Sequence, residues 1–168
     1  ILVVIFCGCM FYAALNDMFS MTIANRIPAL LVVAFPVLAW VAGMDIATIG
    51  LHLAIGLGML FLTFGLFAAG AMGGGDAKLI AATSVWFGLS LALAQYLVWS
   101  AMLGGLLTLI LVIYRATPLA PAMAHLPAFR HFGDREKGIP YGIALAPAAI
   151  MALPGSALGA WALTSLGW

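Results

Sequence analysis

Charge is what this sequence has least of. Of its 168 residues 7% are charged, six basic and five acidic, against 66% hydrophobic. A soluble domain carries roughly 25% charged residues, so this chain cannot furnish a water-facing surface. A net charge of +1 offers no electrostatic footprint for a phosphate backbone, and no nucleic-acid partner is expected. Cysteine is nearly absent too. Cys7 and Cys9 stand one residue apart in an apolar run with no second Cys or His cluster, which excludes a zinc site and leaves two small packing residues. His52, His125 and His131 have no metal-ligand company either. They read as packed or solvated side chains, and no metal or organic cofactor is expected. No secretory signal is recognisable in the chain, which starts at Ile1 rather than Met.

What is present is a series of long apolar runs. Stretches of about 20 apolar residues recur, the length that crosses a bilayer as a helix. The class is therefore all-α and polytopic, with the lipid bilayer as solvent, because a spanning segment must satisfy its backbone internally. A transmembrane barrel needs short alternating strands, and these runs are continuous. The expected helices are Ile1–Leu15, Pro28–Ala42, Ile49–Ala69, Ala77–Leu93, Ala94–Tyr114 and a sixth from about Ile139. Only a tight turn near Gln95 divides the fourth from the fifth. Pro147 and Pro154 should kink or break the sixth, and Trp161 and Trp168 suit the aromatic belt at the interface. Residues 1–168 form one transmembrane domain, with a loop over 115–138 as its one long connection.

Six spans put the first, third and fifth connections on one side. Those hold Arg26, Lys78, Arg115, Arg130, Arg135 and Lys137, all the Lys and Arg residues of the chain. The opposite connections hold Asp45 and no cation. The positive-inside rule then faces Asp17, Asp76 and the long loop to the cytoplasm. The charged run Asp134–Lys137 reads as a solvated loop edge.

Two acids are candidates for chemistry. Asp17 ends the first helix, and Asp76 opens the fourth after the glycines Gly73, Gly74 and Gly75. Carboxyls at membrane depth are costly and mark functional sites. Two brought close cannot both ionise, so one keeps a proton. That state suits amide hydrolysis: one carboxylate takes a proton from water while the other group donates to the scissile carbonyl. The plainer reading is that each Asp caps a helix. Around them, Asn25 could orient a carboxyl or cap the second helix. Lys78 could favour an ionised Asp76 or anchor at the interface. Gly73 and Gly75 permit close backbone approach, and Pro140, Tyr141 and Gly142 open the sixth helix at the edge of the cleft.

Three segments carry a family resemblance. The GxGD pattern Gly73-Gly74-Gly75-Asp76, followed by Ala77-Lys78-Leu79, resembles the second catalytic segment of the type IV prepilin peptidases. Asp17 with the stretch to Asn25 and Arg26 resembles the first, with Ala24 where that family often has proline. Lys137-Gly138-Ile139-Pro140-Tyr141-Gly142 resembles its late Pro-Tyr-Gly segment. The resemblance implies a GxGD intramembrane aspartic protease bundle with Asp17 and Asp76 catalytic and no cofactor. It implies a prepilin substrate, with a basic leader and a hydrophobic helix, cut at the cytoplasmic face of a bacterial inner membrane. The long members carry paired Cys-x-x-Cys motifs and also methylate the new N-terminus. This chain has no such motifs and is similar to the short form associated with tight-adherence (Flp-type) pili. Two other readings stand beside the endopeptidase: a small proton- or cation-coupled transporter, and a non-enzymatic subunit of a pilus or secretion assembly.

Overall fold

The computed structural model describes residues 1–118, 123, 125–126, 132–133, 138–165 and 167. His131, the Asp134–Lys137 run and Trp168 lie outside the described residues. Within them every regular element is helical: α1 (Leu2–Ser20), α2 (Arg26–Val41), α3 (Ile46–Ala68), α4 (Gly74–Phe87), α5 (Leu91–Ala116), α6 (Gly142–Ala152), a 3-10 turn over Leu153–Gly155 and α7 (Ala157–Ser165). The all-α membrane class holds.

The spans are fewer than the six full-length ones expected. Among the described residues only α1, α3 and α5 are individually long and apolar enough to cross a bilayer, and α6 with α7 forms a fourth candidate bent by 68°. The break falls at Ser156, whose backbone is extended at ψ 156°, directly after the 3-10 turn that carries Pro154, a residue that removes a helix donor and disfavours continuation of the α-helix. At 14 residues α4 extends about 21 Å, short of the roughly 30 Å of hydrocarbon.

What shortens α4 is Gly88 rather than a turn at Gln95, which sits inside α5. Gly88 has φ +59°, and a Cβ there would fall 2.5 Å from the His52 ring. Only glycine fits both the left-handed backbone and the space. Ser90 then starts α5 in an extended conformation. The 115–138 loop expected from the sequence loses its first two residues to α5, which runs through Ala116.

Short as it is, α4 is the centre of the bundle. Nearly all of its residues are buried, and it packs against α3, α2, α6 and α5, while α1 lies on α6 and α2. Its C-terminal half carries the aromatic core. Phe6 of α1 lies 4.9 Å from the Trp86 ring and 6.0 Å from Phe87, and Phe87 reaches Tyr96 of α5 at 5.1 Å. The Trp86 indole N–H donates to Leu31 O of α2 at 3.0 Å. His52 is buried, stacked on Phe35 with Nδ1 2.8 Å from Val85 O, the packed role expected of it. Asp45 caps α3 at this same end, accepting from Thr48 N at 3.0 Å. A rigid aromatic plug at one end leaves the other end, where α1 and α5 finish and α4 and α6 begin, to form a cavity.

Candidate active site

The cavity encloses about 990 Å³, and both Asp17 and Asp76 line it. Each acid arrives there differently from the expectation. Asp17 does not follow α1 but lies inside its last turns, buried to 5% exposure. The helix continues past it to Met21, which stops it in a left-handed conformation at φ +55°. That geometry costs a non-glycine residue about 1 kcal/mol, and Met21 lines the same cavity. Asp76 is not an N-cap. Gly73 occupies that position, and Asp76 is the third residue of α4, 9% exposed. An acid in a helix's first turn is favoured by the free N–H groups there.

The carboxyls differ in their surroundings. Asp17 Oδ2 accepts the backbone N–H of Gly142 at 2.7 Å, a contact that joins the end of α1 to the start of α6. A Cβ on Gly142 would lie 2.8 Å from that oxygen, so only glycine admits the bond at this distance. Asp76 has no hydrogen-bond partner among the described residues. Both side chains line the one cavity.

The glycines before Asp76 each make room for something definite. A Cβ on Gly73 would sit 2.7 Å from Asp76 Oδ2, so this position leaves space for the acid's own carboxyl. A Cβ on Gly75 would meet Ile23 Cβ at 3.1 Å, so its absence lets the segment after α1 press against the start of α4. Both glycines line the cavity, as does Tyr141. The Tyr141 ring lies against Gly104 of α5, where a Cβ would meet it at 2.7 Å, and its hydroxyl is 3.2 Å from Thr108 Oγ1. Pro140 is fully buried behind it.

Two expected residues lie elsewhere. Lys78 Nζ donates to Asn25 Oδ1 at 2.9 Å, and both line a separate groove between α2, α3 and α4. The reason is helical geometry: at about 100° per residue, two positions along α4 turn Lys78 to the side away from Asp76. One residue was not anticipated in the cavity. Arg115, in the last turn of α5, lines it and donates from Nε to Phe132 O at 2.7 Å and from Nη2 to Gly138 O at 3.0 Å. Nothing in its local sequence marks it, since only the tertiary return of the chain at Gly138 brings it to the site.

Two buried carboxyls lining one cavity, one of them fixed by a backbone donor, can divide the work of general base and general acid on a bound amide. Among the described residues no group of three or more His, Cys, Asp or Glu could hold a metal ion. A family model described as the Type IV leader peptidase family matches residues 4–116, a stretch that runs from the first turn of α1 to the end of α5 and contains both acids. No curated protein and no solved structure matches the chain.

Proposed function

The chain belongs to the Type IV leader peptidase family, and from that premise we propose that it is an intramembrane aspartic endopeptidase with Asp17 and Asp76 as its catalytic pair. The observation that carries the reading is that α1 and α4 deliver two buried carboxyls to one cavity. The pair acts as a unit holding one proton. Its ionised member takes a proton from water, which attacks the scissile carbonyl carbon, while the protonated member gives its proton to the carbonyl oxygen. Collapse of the tetrahedral species breaks the C–N bond, and a proton returned by the pair leaves on the amine. The Gly142 N–H holds the Asp17 carboxyl in one orientation through this cycle.

The substrate is a prepilin of the Flp type. Its apolar helix stays in lipid and its basic leader in the cytoplasm, so the scissile bond falls at the membrane face where the cavity opens. The bias of Lys and Arg toward the connections at this end, Arg26, Lys78 and Arg115 among them, supports a cytoplasmic setting in a bacterial inner membrane. The Flp assignment is supported by the lack of any Cys-x-x-Cys pair. Asp17→Asn and Asp76→Asn, each co-expressed with a prepilin, test the proposal. Each variant should insert normally and leave the prepilin uncut, whereas Asp45→Asn at the opposite end should process it. Processing by either cavity variant at the wild-type rate overturns the assignment.

A further inference from the structure

The groove that takes Lys78 and Asn25 away from the cavity has a composition of its own. It encloses about 670 Å³ between α2, α3 and α4, and every other residue lining it is apolar. On α4 the lining positions are Lys78, Ala81, Ala82 and Val85, an i, i+3, i+4, i+7 stripe that is one helix face. Its floor is closed, because α3 and α4 meet at Gly56, where a Cβ would fall 2.2 Å from Val85 Cγ2. Its walls are open outward: Val33 is 66% exposed and Leu57 54%. In a membrane protein those residues face lipid.

The polar end of the groove is cationic. The one hydrogen-bond partner of the Lys78 ammonium among the described residues is Asn25, which is neutral, and no carboxylate pairs with it there. The groove thus offers an apolar slot with a positive charge at one mouth. We propose that it binds one anionic phospholipid, with an acyl chain along α4 and a net-negative headgroup on Lys78.

Charge decides between this occupant and the others. A prepilin carries a basic leader, which would meet Lys78 as a like charge. A second copy inserted in the same orientation would bring its own Arg26, Lys78 and Arg115 to that level. An anionic headgroup alone complements the site. Packing of the acyl chain cannot supply the selectivity, since a hydrocarbon tail gains little by leaving other tails. The headgroup must therefore carry it, and one interfacial lysine gives about a fivefold preference.

The chain is reconstituted in vesicles of equimolar phosphatidylglycerol and phosphatidylcholine with matched acyl chains, and lipid adducts are read by native mass spectrometry. One retained phosphatidylglycerol, favoured about fivefold, is expected. Lys78→Gln should bring the two lipids to parity. Arg26→Gln, which removes a cation at the same end outside the groove, should leave the preference in place. Ala29→Leu, which fills the groove mouth without touching Lys78, should remove the adduct. Parity in the wild-type chain, or a preference that survives Lys78→Gln, overturns the proposal. A photo-crosslinker at Val33 gives a second reading in the same vesicles with a prepilin added: a lipid adduct supports the proposal, and capture of the prepilin or of a second copy refutes it. None of these readouts depends on peptidase activity.

Discussion

Gly142→Ala is the substitution that asks most of the site for the smallest chemical change. The added methyl would lie 2.8 Å from Asp17 Oδ2, 2.9 Å from its Cβ and 3.2 Å from its Cγ. Carbon contacts prefer about 3.5–4.0 Å, so the methyl and Asp17 must separate by about half an ångström or more. The Asp17 Cβ is attached directly to the α1 backbone, and Gly142 belongs to the first turn of α6, so neither gives way as a flexible side-chain tip would. The 2.7 Å bond from Gly142 N then lengthens or breaks. A hydrogen bond to a charged group contributes about 1.5–3 kcal/mol, and a reacting group displaced by about 1 Å loses on the order of 100-fold in rate. We therefore expect single-turnover prepilin cleavage in proteoliposomes to fall by between about tenfold and about 100-fold. Gly105→Ala is the control, as a Cβ there meets nothing within 4 Å, and it should cleave normally. If Gly142→Ala cleaves within about twofold of the wild-type chain, normalised to folded protein, the role given to the Gly142–Asp17 bond is wrong.

Arg115→Gln removes the guanidinium that holds Phe132 O and Gly138 O. Because Gly138 leads directly into the segment ending at Gly142, cleavage should drop about tenfold, with Arg115→Lys intermediate; equal rates in all three proteins would show that the segment is held without it. Asp45 sits outside the membrane-spanning segments, and its carboxyl is held below the usual carboxylate range, first by the Thr48 hydroxyl and then by the Thr48 N–H. A lowered folded pKa gives stability that is present above the unfolded value and lost as pH falls through the folded one. Asp45→Ala should therefore lower the melting temperature at neutral pH, converge on the wild type in acid, and cleave prepilin at the wild-type rate; a melting difference that widens in acid would contradict the cap.

The sequence made the helical class and the span-forming runs legible because apolar length alone specifies them. It also pointed to Asp17 and Asp76, since acids are rare enough here that each stands out, and the fold sets both on one cavity. Other features were hidden for physical reasons. The α4–α5 break lies in an unbroken apolar stretch, and Gly88 is one glycine of 19, chosen by its contact with His52 rather than by any local signal. Lys78 is adjacent to the acid in sequence and turned from it by helical rotation. Arg115 is remote in sequence yet lines the same cavity, because α5 ends where the chain returns to open α6. The shortness of α2, at 16 residues, and of α4 follows from where turns fall, which hydropathy does not fix.

In the proposed mechanism two carboxyls hold one proton between them and use it to cut a peptide bond. The most direct measurement is the pH dependence of single-turnover prepilin cleavage by the reconstituted chain. The profile should be a bell: the rate falls in acid as both carboxyls become protonated, and falls again in base as both ionise. A rate that only climbs with pH, or that stays level from acid to neutral, would contradict it.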